Sequence, residues 1–444
     1  MASQFRPDQR APSATQQRPT GTIVGMFDRR RLLTQLLLLA NRAAITGAKF
    51  LLAVYTARYL GLADLGIYGL LVAGTTIVPA IAGFGMTDSI VRRIVDLPSA
   101  QAMPLMAGRS SLTVGVHVVL QPLLLVTDVF LGRPVPLRLA ALAGLILMLD
   151  NLNSEATDML VARRHILLAN VLSFLRAGLW PLLVIAAGLA LPATRTLEAL
   201  LIGWAAMLVL NSFILLGVLM LGRRWRYMRP QWRLLLSQLS GSRALYVKDV
   251  SATLGIFFDR FIISAFLGLE LTGVYTFFWS ITNVVHSLAL VGMLLSQIAS
   301  LLAAGRKADK TEFRAVERRL QFEIGAWTLL LSLGVAVATP LMLPYLGRPL
   351  LEDYLSVFWM ILFATILRVA ADGYGYALLA LNRDTEIAII AFGGAIASAA
   401  MNAILTPLAG LWGAATAYVI TSAGLLAIRY HLARPQISPG ISNT

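Results

Sequence analysis

Twelve apolar stretches separated by short polar ones divide the chain: residues 32–58, 65–90, 105–131, 137–160, 166–190, 196–221, 245–267, 272–302, 322–346, 355–380, 385–406 and 411–430. Each is close to or above the ~20 residues a helix needs to cross a hydrocarbon core. In lipid, a helix satisfies its own backbone hydrogen bonds. The pattern therefore predicts an all-α polytopic membrane protein of about twelve transmembrane helices. Pro79, Pro122, Pro181, Pro340 and Pro407 lie inside these stretches or at their ends. Each removes a backbone hydrogen bond, so bends are expected there.

A short pattern occurs twice. Leu60-Gly61-Leu62 is followed by Gly66 and Tyr68, and Leu267-Gly268-Leu269 by Gly273 and Tyr275, at a constant offset of 207 residues. Both copies fall between the first and second stretch of their half. The predicted architecture is a duplicated bundle: two pseudo-symmetric six-helix lobes around a central cavity, an organisation common among secondary transporters. The glycines permit positive φ in a tight interhelical turn and let helices approach closely. The expected divisions are a disordered cytoplasmic tail (1–31), an N-lobe (32–221), a basic cytoplasmic connection (222–244), a C-lobe (245–432) and a second cytoplasmic tail (433–444). Residues 1–28, rich in Pro, Gln, Ser and Thr, hold no apolar segment.

Composition agrees with a membrane protein: 58% hydrophobic, 13% charged, mean hydropathy +0.75. With no cysteine and four scattered histidines, no disulfide, thiol chemistry or Cys- or His-built metal site is expected. The net charge of +15 is explained by where the basic residues fall. Twenty-four lie in the even-numbered polar connections, counting the N-terminus as the first of them and including Arg92, Arg93 and Arg109 after the second stretch and Arg429 and Arg434 after the last, and five (Arg58, Arg133, Arg138, Arg195, Arg348) in the odd ones. The positive-inside rule then puts both termini in the cytoplasm. The central connection, with RRWRYMRPQWR at 223–233, interleaves aromatics with arginine. Lying between two spans, it reads as a segment on anionic lipid headgroups rather than a nucleic-acid surface.

Ionisable residues at membrane depth are costly and usually face a bundle interior or a watery cavity. The basic ones are Arg42, Lys49, Arg176, Arg260 and Arg368; the acidic ones are Asp150, Glu155, Asp259 and Asp372. Arg42 and Lys49, seven apart, share one helix face about 10 Å apart along the axis. Arg260 lies in the seventh stretch, the counterpart of the first. Facing each other, these cations suit a phosphate or diphosphate, which arginine grips in a bidentate way. Arg176 is a fourth candidate. Arg368 is expected to pair with Asp372 four residues on. Asp150 and Glu155 belong to a polar fourth stretch, LDNLNSEATDMLVARR; they and Asp259 are candidates for ion coupling, with structural hydrogen bonding the competing role for the fourth stretch. No P-loop, GxSxG, HExxH or paired aqueous carboxylates occur. No enzyme and no cofactor is expected.

The basic-then-apolar opening helices, the twice-used LGLxxxGxY turn, Asp259-Arg260 before its second copy and Ala162-Arg163-Arg164 after the fourth stretch together resemble the polysaccharide transporter family. These are the Wzx-type O-antigen and exopolysaccharide flippases of the multidrug/oligosaccharidyl-lipid/polysaccharide exporter superfamily. The resemblance covers about residues 30–432. It implies a bacterial inner-membrane protein that turns a polyprenyl-diphosphate-linked oligosaccharide to the outer leaflet, with Arg42, Lys49 and Arg260 meeting the diphosphate or acidic sugars. Anionic lipids, a polysaccharide polymerase and glycosyltransferases are the implied partners. Competing readings are a cation-coupled multidrug antiporter, which expects a negative or aromatic cavity, and a membrane polymerase or ligase, which needs a long outer loop. A non-transporting scaffold would not need charged cavity helices. Reporter fusions at Arg133, Arg195 and Arg348 should score as external, and fusions at Arg229 and Lys310 as internal; inversion at any two of these sites would overturn the span count.

Overall fold

The computed structural model describes residues 29–130, 136–221, 243–296, 298–306 and 310–434, with isolated positions between 226 and 237. The expected tail at 1–28, nearly all of the C-terminal tail and most of the basic connection lie outside the described residues. No strand occurs among the described residues. The helices are α1 (Arg29–Tyr55, ending in a π turn at Thr56–Leu60), α2 (Leu62–Ala82), α3 (Met86–Ile94), α4 (Ser99–Phe130), α5 (Leu137–Ala162), α6 (Ile166–Phe174) and α7 (Trp180–Ala190), the last two joined by a π turn at Leu175–Leu179. There follow α8 (Leu197–Leu221), α9 (Arg243–Phe257), α10 (Asp259–Ser296), α11 (Ile298–Arg306), α12 (Lys310–Leu346), α13 (Pro349–Asp353), α14 (Leu355–Ala380) and α15 (Asp384–Ala433).

Nine described helical segments are long and apolar enough to span a membrane. Two of them contain a reversal. The segment Tyr246–Val291, made of α9 and α10, breaks at Gly268, and α15 breaks at Ala409–Gly410, so each of these two segments is two spans. With the 32-residue α4, these make the twelve expected crossings. The second stretch is corrected: its helix stops at Ala82, and the chain turns through Phe84 and Gly85, both at positive φ, into the separate α3. Met86, Ile90 and Ile94 of α3 are buried while Arg92 and Arg93 stay exposed, the pattern of an in-plane amphipathic helix. Outward faces are apolar: Trp327, Leu330, Leu333, Val337 and Leu341 of α12 are all exposed, as lipid contact requires.

The repeated turn is where the halves meet. Gly61 (φ 129°, ψ 170°) and Gly268 (φ 83°, ψ 178°) take the same extended, positive-φ conformation, a region nearly closed to other residues. The glycine one turn further on permits backbone contact between halves. A methyl group on Gly66 would lie 2.2 Å from the Leu269 carbonyl oxygen, and one on Gly273 would lie 1.8 Å from that of Leu62. Leu62 and Leu269 are themselves 207 residues apart, so the contact is reciprocal, as at a two-fold axis. Gly69 meets Thr276, its own counterpart at the same offset. Tyr68 and Tyr275 are both buried beside it. Arg348, between α12 and α13, adds polar links: its Nε donates to the Ala57 carbonyl (2.9 Å) and its Nη2 to that of Arg58 (3.3 Å).

In the cysteine-free chain, the paired replacement Gly69→Cys with Thr276→Cys should cross-link on oxidation, since a Cβ on Gly69 lies 2.9 Å from the Thr276 Cβ, within a small adjustment of disulfide spacing. After protease cleavage in the 222–242 connection, the halves should stay together on a denaturing gel only without reductant. Halves that separate regardless of oxidation would place the lobes elsewhere.

Candidate functional site

A cavity of about 350 Å³ opens alongside this contact, between α1, α2, the fifth span and the second half. The sequence-predicted cations converge on it. Arg42, Lys49, Arg176 and Arg260 all line its wall, and no carboxylate does. α1 carries Arg42 and Lys49 two turns apart on the cavity face, with Ile45, Thr46 and Phe50 beside them. Both cations are reached by solvent, and neither has an ion-pair partner among the described residues.

Arg176 sits in the π turn of the fifth span, just before Trp180-Pro181. Pro181 has no N–H to give the Ala177 carbonyl, and a widened turn accommodates that missing bond. Arg176 donates from Nη1 to Asp150 Oδ2 (3.2 Å) and the Asp150 carbonyl (3.4 Å). Arg260 is fully buried. Its guanidinium lies 4.1 Å from the Trp279 ring centroid and 5.1 Å from that of Phe257, within cation–π reach of both rings. Asp259 Oδ1 is 3.8 Å from its Nη1, yet neither Nη atom has a hydrogen-bond partner. Four cations thus face one space with two carboxylates, Asp150 and Asp259, behind them. Buried charge without full compensation is costly, and water or a bound anion must offset it.

The acidic candidates are spread over three environments. Asp150 lies in a second cavity of about 240 Å³, contiguous with the first through Lys49, Tyr68, Val72, Arg176 and Ala177. Glu155 lines neither cavity. It is buried against Arg109 Nη2 (2.5 Å) and accepts from the Thr113 hydroxyl (2.8 Å). Asp259 accepts from the Tyr275 hydroxyl (2.6 Å) and the Arg260 backbone N–H (2.8 Å). The rest of the polar stripe on α5 packs helices together: Asn153 Nδ2 donates to the Leu208 carbonyl and to Ser212.

Arg109 corrects the sequence reading, which placed it in a cytoplasmic loop with Arg92 and Arg93. It is fully buried in α4. Arg109, Thr113 and His117, each four apart and all buried, form a polar stripe that helical spacing makes visible. Arg429, also counted with the loops, belongs to α15 and donates from Nη1 to Asp372 Oδ1 (2.7 Å). Asp372 further meets His286 (3.0 Å) and its expected partner Arg368 (3.9 Å). His286 and Arg429 come from other helices, so sequence neighbourhood did not reveal them.

The described helices make this a multi-pass membrane protein with a cavity where its halves meet. The sequence model of the polysaccharide biosynthesis protein family matches residues 35–296, more than half of the chain, and the chain belongs to that family. Among solved structures it is similar to the inward-facing conformation of a multidrug resistance MATE family transporter of the MOP superfamily. The TM-score is 0.68 at 14% identity, over 90% of this chain and 97% of that one. The outward-facing conformation of such a transporter gives 0.58 at 16% identity, over 90% and 94%. A MATE crystal structure in the straight conformation gives 0.59 at 14%, over 91% and 94%. No curated protein matches the chain.

Glu155→Ala should destabilise the protein by about 3–5 kcal/mol, because it leaves the Arg109 charge buried and unpaired. The measurement is thermal melting of purified protein. Joint replacement Arg109→Met with Glu155→Leu should recover most of the loss. A single variant as stable as the parent would mean that Glu155 is not a structural counter-ion.

Proposed function

We propose that the protein moves a polyprenyl-diphosphate-linked oligosaccharide, an O-antigen or exopolysaccharide repeat unit, from the cytoplasmic to the outer leaflet by alternating access. The observation that carries this reading is the wall of the first cavity: four cations from three separate helices and, among the described residues, no carboxylate. Among the described residues Arg42 and Lys49 have no ion-pair partner, and neither Nη atom of Arg260 has a hydrogen-bond partner, with Asp259 3.8 Å away. Those are the groups a diphosphate takes up. Family membership supports a substrate from polysaccharide biosynthesis.

In this reading both termini are cytoplasmic, and the lobes touch through the repeated turn at the outer end. The contact described above then belongs to the state that loads substrate from the cytoplasm. The basic connection at 222–244 rests on anionic headgroups, and a polymerase and glycosyltransferases supply and consume the cargo. The multidrug reading expects a negative or aromatic cavity. Asp150, Glu155, Asp259 and Asp372 are each bonded to a cation, a tyrosine or both, which favours the anionic cargo.

Arg42→Ala should abolish glycan export while leaving membrane abundance near that of the parent, since Arg42 supports no other described side chain. Arg42→Lys should restore export in part, because charge survives and the bidentate grip does not. Normal export by the alanine variant would remove the case for an anionic substrate at this cavity.

A further inference from the structure

Arginine is scarce in the odd-numbered connections, as the positive-inside rule expects of one membrane face, yet three of the five counted there meet in space. Arg58 lies in the π turn that ends α1, Arg195 in the turn between α7 and α8, and Arg348 between α12 and α13 in the second half. The Arg195 guanidinium lies 4.5 Å from the Tyr59 ring centroid and that of Arg58 5.4 Å from it. Arg348 Nη2 donates to the carbonyl of Arg58 itself (3.3 Å). Like charges repel at such range, so the fold gathers them against a cost.

Backbone bonds fix two of the three. Gly61 ends the helix, which leaves its last carbonyls open, and Arg348 takes those of Ala57 and Arg58. Arg195 Nε donates to the Gly188 carbonyl (2.8 Å). Among the described residues, Nη1 of Arg348, both Nη atoms of Arg195 and the whole exposed guanidinium of Arg58 are left without a hydrogen bond, and no carboxylate pairs with any of the three. The Tyr55 hydroxyl is a further open donor. It is buried with no hydrogen-bond partner, its ring centroid is 5.3 Å from that of Tyr59, and it presses on Gly188, where a Cβ would have no room.

Packing does not explain this set. Arg348 links the halves by itself, while the side chains of Arg58 and Arg195 make no bond to the second half among the described residues. The repeat does without it: at the 207-residue offset Tyr55 and Arg58 correspond to Ile262 and Ala265. Fixed donors, three positive charges and no acid make a phosphate-binding chemistry.

We propose that Arg58, Arg195, Arg348 and the Tyr55 hydroxyl form a second anion site, at the end where the halves touch, for the phosphate or diphosphate group of a lipid in the leaflet at that end. None of the four residues lines either cavity, and the site rests on the contact between the halves, not on the cargo. Arg348 belongs to the second half and the others to the first, so the site is complete only while the halves meet there. A bound anion therefore holds that end shut by linkage.

The test uses the full-length protein in phosphatidylcholine nanodiscs. Glu198→Cys, at an exposed position three residues from Arg195 in a chain without other cysteines, carries an environment-sensitive fluorophore. Inorganic diphosphate should change its emission saturably. Arg58→Gln and Arg348→Gln should each weaken that binding about tenfold, the loss of a charge-assisted hydrogen bond. Arg58 supports no other described side chain by a hydrogen bond, so Arg58→Gln should also melt as the parent does. Arg42→Ala, in the cavity, should leave the titration unchanged whether or not the cavity takes a diphosphate. No response, a response that survives both glutamine variants, or one lost with Arg42→Ala would overturn the site. Two further titrations name the source of the phosphate. Farnesyl diphosphate binding about tenfold tighter than inorganic diphosphate assigns the site to a prenyl diphosphate. Displacement of inorganic diphosphate by phosphatidylglycerol, added to the nanodisc, assigns it to phospholipid headgroups. With Gly69→Cys and Thr276→Cys in place of the label, saturating inorganic diphosphate should speed oxidative cross-linking about threefold, and should not do so with Arg58→Gln. Equal rates with and without the anion would overturn its hold on that end.

Discussion

Two short glycine positions set the distance between the halves of this protein. Gly66 faces the Leu269 carbonyl and Gly273 the Leu62 carbonyl, and at neither place is there room for a side chain. Lipid gives helices no hydrophobic reason to associate, so close backbone approach and the dispersion contacts it allows must hold them. The same approach forces the next turns of the two helices to diverge around a common space. Gly69 and Thr276 touch; one turn on, Val72 and Trp279 already stand in the cavity wall. Depth, width and lining of the cavity follow from where that contact stands.

The backbone repeats across this axis, but the charge does not. Counting by the 207-residue offset, Arg42 and Lys49 correspond to Asp249 and Ile256, and Arg260 corresponds to Ala53. Three of the four cavity cations come from the first half. A duplicated scaffold therefore supplies symmetric packing, while the charge of the cavity wall is lopsided.

Elsewhere the protein shows how it treats charges with no external partner. Arg109 is closed off by Glu155 and Thr113, and Asp372 by Arg429, His286 and Arg368. Those clusters tie helices together across each lobe. Among the described residues Arg42 and Lys49 are not closed off in this way, and Arg260, beside two ring faces and 3.8 Å from Asp259, has no hydrogen bond at either Nη atom. On the proposed reading, the contrast separates cations kept for structure from cations kept for the cargo.

The number of spans, the all-helical class, the twofold layout and the turn glycines were legible in the sequence. Each is written locally: apolar length reports crossing, and LGLxxxGxY reports both the positive-φ turn and the close approach. Arg42, Lys49, Arg176 and Arg260 were legible as candidates because a charge among apolar residues stands out wherever it falls. Their convergence on one space was not, since it depends on how three helices rotate about their axes. Partner choice was equally hidden. Arg109 stood near two loop arginines and turned out buried because α4 begins at Ser99, earlier than its apolar run. Asp372 has its expected neighbour Arg368 at 3.9 Å but a closer one, Arg429, from another helix. Helical spacing along one chain decides which face a residue occupies. Only the packing of helices against one another decides what that face meets, because such contacts join residues whose separation in sequence carries no information about their distance.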